Sequence, residues 1–128
     1  MTEIWTPASE NDAFPSEALN RALELNPIDQ LPSNCPDEIL PLQPWMKRPF
    51  TQWQDTLETL DVAQLTHLVR FFTLAETQWT DWQAGDKNPA IWASKVLKQK
   101  QAFPDKTLIA WIRQVSTNRF IPYGNILG

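Results

Sequence analysis

From Pro49 to Ser116 the apolar residues return at helical spacing, and before Pro49 they do so only in one short stretch. Phe50, Trp53, Leu57 and Leu60 stand at i, i+3, i+7 and i+10, which predicts a helix over 49–59 with Pro49 at its first position. Asp61 followed three residues later by Gln64 reads as a capping box, with Asp in the place usual for Ser or Thr. At about 100° per residue, Val62, Leu65, Leu68, Val69, Phe72 and Trp79 then form one apolar stripe. Phe71, Leu74 and Trp82 form a second, and only the sector of Thr66, Arg70, Thr73, Thr77 and Asp81 stays polar. A helix apolar around most of its circumference is packed from several directions, so 61–84 is the predicted central helix, stopped by Gly85. Asn88-Pro89 opens another helix over 88–100, and Phe103-Pro104-Asp105 opens one over 104–116.

The first 46 residues hold seven of the eleven prolines, each of which removes a backbone donor and restricts its predecessor. Ala18, Leu19, Ala22 and Leu23 still keep a helical spacing, so a short helix is predicted over 16–25. Ile28, Leu31, Ile39, Leu40, Leu42 and Trp45 are too many large apolar groups for a solvated tail. The reading is an extended arm over 1–48 lying across a core of 49–128, with its first dozen residues mobile and a non-helical tail at 117–128. The fold class expected is all-α: a small compact bundle of four core helices, with a short N-terminal helix and a proline-rich arm packed on it.

A chain of 128 residues buries a core without cross-links, and three glycines are few for a turn-rich β design. Cys35 is alone, which excludes an internal disulfide and fits a reducing compartment. The acidic start MTEIWTPASENDAF has no apolar signal-peptide region, and no apolar run has the roughly 18–20 residues needed to span a bilayer. A cytoplasmic protein without a membrane partner is expected.

The catalytic inventory is thin. One His and one Cys do not make the usual zinc set, the three glycines begin no phosphate loop, and no nucleophile elbow is present. No enzyme, metal site or cofactor is expected. His67, beside Phe71 and Leu74, reads as a boundary histidine bonded to water or to a nearby carbonyl rather than as a general base. Cys35, followed by Pro36 and Asp37, has no cation close in sequence to activate it toward His67. Asp55 with Glu58, and Asp81 with Asp86, read as solvated faces, and Asp61 and Asp105 as helix starts. Neither the LTHLVRFFTLAE helix nor the NRFIPYG tail carries a motif that assigns a family or a site.

Charge and aromatic content leave two partner readings. Residues 1–46 carry eight acids against Arg21, whereas residues 87–128 carry seven Lys and Arg against Asp105, so the net −4 conceals a polarised chain. Trp53, Trp79, Trp92 and Trp111 fall on inward helix faces, and Trp45 is placed to fasten the arm. Trp5 and Trp82 are less well explained, and Trp82 reads as a partly exposed anchor. The leading expectation is a non-catalytic protein-interaction or regulatory module that binds its partner through Trp82, Arg119, Phe120 and Tyr123. The alternative is a nucleic-acid-associated protein using Lys95, Lys98, Lys106, Arg113 and Arg119, interleaved with aromatic rings. Against it stand the sequence pI of about 4.9 and the dipole-offsetting role of Lys98 and Lys100 at a helix C-terminus. Opposite signs at the two ends also suggest an acidic arm folded back over the basic surface.

Overall fold

The computed structural model describes residues 14–25, 31–102 and 105–123. Among them the fold is all-α, with no strand: α1 (Ser16–Leu23), α2 (Phe50–Glu58), α3 (Val62–Gln78), α4 (Pro89–Gln99) and α5 (Lys106–Val115). Short 3₁₀ turns occupy Leu40–Trp45, Thr80–Trp82 and Gly85–Lys87. None of the described helices is long and apolar enough to cross a membrane. The expected mobile first dozen residues, Trp5 and the Phe103-Pro104 restart lie outside the described residues.

The caps read from sequence are present. Asp61 Oδ1 accepts the Gln64 N–H at 2.8 Å while Gln64 Oε1 accepts the Asp61 N–H at 3.0 Å, a reciprocal capping box at the start of α3. Asn88 and Asp105 cap α4 and α5 by accepting from Ala90 and Leu108. Pro49 precedes α2 with extended backbone (ψ 162°), as its N-cap rather than its first residue.

The centre of the molecule is α3. Leu65, Leu68, Val69, Phe71, Phe72, Leu74 and Ala75 are buried on it, and α1, α4 and α5 all pack against it. Thr73, assigned to the polar sector, is fully buried; it tolerates this by donating to the Val69 carbonyl at 2.7 Å. Val62, at the open first turn, is 42% exposed despite its place on the apolar stripe. The consecutive pair α3 and α4 makes the most extensive contact, as its short link favours, whereas α2 lies on α4 and α5 on α3. Contact from α2 to α3 is made by large rings, Trp53 edge-on to Phe72 at 5.4 Å.

The helix ends at Gln78, short of the expected 84, because Trp79 leaves the helical region (φ −111°, ψ 107°). Two contacts hold that break open. Gln78 clasps Leu31 through both its amide groups, 3.0 Å to the N–H and 3.3 Å to the carbonyl. Trp79 Nε1 donates to the Pro32 carbonyl at 3.0 Å. Gly85 therefore does not cap α3; it starts a 3₁₀ turn with φ +57°, where nothing crowds a side chain but the backbone favours glycine.

The same device recurs along residues 31–48. Trp53 Nε1 donates to the Trp45 carbonyl (3.0 Å) and Trp92 Nε1 to the Arg48 carbonyl (3.1 Å). A proline-rich segment keeps its carbonyls while losing donors, and indole is a donor without an acceptor, so the two are matched. Three indole N–H groups thus pin this segment by its carbonyls, while Leu31, Ile39, Leu42, Trp45 and Met46 bury their side chains in the core. Trp45 is itself buried, with Phe14 and Trp53 packed edge-on against it at 5.0 and 6.1 Å.

Candidate functional site

After α5 the chain turns back over residues 116–123, and what holds this segment is a carboxylate that sequence reading overlooked. Glu76 continues the apolar stripe of α3, between Phe72 and Trp79, and is only partly exposed. Its Oε1 accepts from the Asn88 and Asn118 side-chain amides, the latter at 2.9 Å, and its Oε2 receives the Gly85 N–H at 3.5 Å. Asn118 Nδ2 also donates to the Gly85 carbonyl (2.9 Å), and its Oδ1 accepts the Phe120 N–H (2.9 Å). No cation faces the carboxylate among these bonds; amide dipoles alone satisfy it. An acid on an otherwise apolar helix stripe was the available signal. Its partners, Asn88 and Asn118, are far from it in sequence.

Residues of the 116–123 segment line two grooves. One, of about 420 Å³, is lined by Lys95, Lys98, Pro122 and Tyr123. The other, of about 410 Å³, is lined by Ile112, Arg113, Ser116, Thr117, Asn118, Arg119 and Ile121. The described linings place four cations in grooves that share this segment, with no acid among them. No ion pair is formed by Lys95, Lys98, Arg113 or Arg119 among the described residues; Lys95 Nζ instead stands 5.9 Å from the centroid of the Phe50 ring. Tyr123 is 53% exposed, Ile121 and Pro122 are buried and Phe120 is half-buried, so the segment is anchored by its apolar residues and presents its tyrosine.

The structure thus regroups the residues singled out from sequence. Lys95 and Lys98 share a groove with Tyr123; Arg113 and Arg119 share the neighbouring one. Lys106, exposed at the start of α5, lines neither among the described residues. Trp82 is not a partly exposed anchor: at 2% exposure it is core, edge-on to Phe71 (6.2 Å) and tilted against Trp79 (5.1 Å). The physical reason is the early end of α3, which turns Trp82 inward from a 3₁₀ turn instead of outward from a helix. Trp111 is half-buried and carries the Arg70 guanidinium over its ring at 5.0 Å.

His67 and Cys35 make separate local contacts. His67 Nε2 donates to the Ala22 carbonyl at 2.9 Å, tying the end of α1 to α3, and Cys35 Sγ donates to the Pro36 carbonyl at 3.4 Å. Burial first, and the Asp37 carboxylate second, push the Cys35 thiol up to about 11. Cys35 lines a third, polar cleft of about 250 Å³ with Ser33, Asn34, Gln43 and Asp81, but Gln43 is already committed to the Asp81 carbonyl (3.0 Å). The described part of the arm does not lie over the basic surface by its charges: Glu38 and Glu24 both face Arg21, at 3.7 and 3.2 Å. No group of three or more His, Cys, Asp or Glu placed to hold a metal occurs among the described residues. No protein-family model, curated protein or solved structure matches this chain.

Proposed function

We propose that this chain is a non-catalytic protein-interaction module whose working face is the pair of grooves that share residues 116–123, and that its partner is an acidic protein segment with an aromatic or aliphatic anchor. The observation carrying this reading is the meeting of Tyr123 with Lys95 and Lys98 around one groove, next to Arg113 and Arg119. Exposed Tyr beside unpaired cations offers an apolar platform with charge at its edge, which suits a peptide carrying both. The framework taken for this role is a compact four-helix bundle with the proline-rich arm on its outside, cytoplasmic. It is supported by the convergence of α1, α4 and α5 on α3 and by the three indole bonds to residues 32–48.

Nucleic acid is the second reading, favoured by the same juxtaposition, since an aromatic ring among lysines also stacks a base and meets its phosphates. Capture from cell extract on the wild-type chain and on a Lys95→Glu/Lys98→Glu/Tyr123→Ala variant separates the two. The expected result is a protein held by the wild type, resistant to nuclease and lost on the variant. Equal capture by both overturns the assignment of the face, and nuclease-sensitive capture transfers it to nucleic acid, whose binding falls steeply with salt.

A further inference from the structure

The groove of about 410 Å³ at the end of α5 is lined by hydrogen-bond donors with charge to spare. Arg113 and Arg119 are exposed in it, form no ion pair among the described residues, and meet no acid in its described lining. Ser116 Oγ already accepts the Asn118 N–H at 3.0 Å, which leaves its own hydrogen to donate. The Thr117 hydroxyl, in the same lining, makes no hydrogen bond among the described residues.

Both guanidiniums hang from fixed backbone. Arg113 follows Ile112, which is buried on α5. Arg119 is spanned by the bond from the Phe120 N–H to Asn118 Oδ1, and Asn118 Nδ2 is held by Glu76 and by the Gly85 carbonyl. Donors carried on placed backbone lose less freedom on binding. The helix dipole accounts for one of the two cations: Arg113 stands in the last turn of α5, where a positive charge offsets the C-terminal end. Arg119 lies beyond that helix and is not explained so. The helix end amounts to about half a negative charge against two positive ones, so the groove favours an anion.

A carboxylate, with one charge and two oxygens, is satisfied by a single guanidinium fork. A phosphomonoester carries about −1.5 to −2 charges at neutral pH and three acceptor oxygens, which matches two guanidiniums and two hydroxyls. We propose that this groove is a site for a phosphomonoester dianion, carried on a phosphorylated side chain of the acidic partner segment. The inference rests on the reading of this face as the working surface. Ile121 lines this groove and Pro122 its neighbour, so one short segment can occupy both.

Titration of the ¹⁵N-labelled full chain with N-acetyl-O-phosphoserine methylamide tests the site, read from the backbone amides of 113 and 116–119. Saturable shifts are expected there, with affinity roughly fivefold or more above that of N-acetyl-glutamate methylamide and of dimethyl phosphate at equal ionic strength. Arg113→Gln/Arg119→Gln should abolish them while the amides of α3 and α4 keep their positions. Arg113→Lys/Arg119→Lys, which keeps the charge and removes the forks, should weaken them severalfold. Shifts that do not saturate, that are equal for all three anions, or that survive in the Gln variant overturn the inference. Preference for dimethyl phosphate overturns it in favour of a nucleic-acid backbone. Phosphatase treatment of the extract before capture should abolish retention, and undiminished retention overturns the assignment to a phosphorylated partner. The titration needs no partner, so saturable binding with failed capture removes the proposed function and leaves the anion site standing.

Discussion

Glu76 is the residue on which the candidate face depends most. Its carboxylate accepts from two side-chain amides and a backbone N–H drawn from three other segments, and hydrogen bonds to a charged acceptor contribute about 1.5–3 kcal/mol each before coupling is counted. Glu76→Ala leaves the buried Asn88 amide with only the Phe72 carbonyl at 3.3 Å. A loss of about 2–3 kcal/mol in urea unfolding is expected. Amide exchange should rise first over 116–123, before α3 and α4 are affected. Cys35 carries a prediction of the opposite kind, inertness. With the thiol pushed up to about 11, its thiolate at pH 8 is about a hundredfold scarcer than that of an ordinary cysteine. Greater intrinsic nucleophilicity of the thiolate recovers about tenfold of this. Alkylation by iodoacetamide at pH 8 should therefore run about tenfold slower than in a cysteine peptide, rising as pH approaches 11; a rate equal to the peptide's would contradict the assignment.

At the scale of elements, the molecule is organised by where helices stop. The end of α4 is a Schellman turn: the Gln101 N–H donates to Lys98 (3.0 Å) and the Ala102 N–H to Leu97 (2.8 Å), with Gln101 left-handed at φ +60°. Glutamine is strained there and glycine is not, so Gln101→Gly should stabilise the fold by about 0.5–1 kcal/mol once the greater chain entropy of glycine is counted. A raised melting temperature is the readout. The end of α3 is the contrasting case. Nothing in HLVRFFTLAETQW announces that the helix stops at Gln78, since the stop is enforced by Leu31 and Pro32, 47 residues earlier. Trp79→Phe retains a ring and deletes the donor to Pro32. It should cost about 1 kcal/mol and raise exchange at the Leu31 amide while α4 stays protected. The capping box at Asp61 and the caps at Asn88 and Asp105 were legible beforehand because each is closed within three residues. The inward turn of Trp82 was not, because it follows from that remote enforcement.

On the scale of the whole molecule, the charge polarity of the chain does not become a charge-paired fold among the described residues. The arm acids that make ion pairs turn to Arg21, and Lys95, Lys98, Arg113 and Arg119 make no ion pair among the described residues. Lys95 and Lys98 project from one helix into solvent, so reversing both to Glu should leave the melting temperature within a few degrees of wild type. Loss of partner capture in a variant that melts normally is then an effect on the face itself. A large drop in melting temperature would instead mark the lysines as structural.

By itself the sequence determined the elements that rest on neighbours: helical type, the starts of α3, α4 and α5, and the burial of most of the α3 stripes. These follow from side-chain period and from caps, which act over three or four residues. Tertiary structure alone decided that α2 sits on α4, that α3 breaks at Trp79, that Thr73 and Trp82 are interior, and that Glu76 ties Asn88 and Asn118 together. Each of these depends on groups tens of residues apart meeting in space, where indole donors find proline-segment carbonyls and a lone carboxylate finds amides; no local periodicity encodes such a meeting.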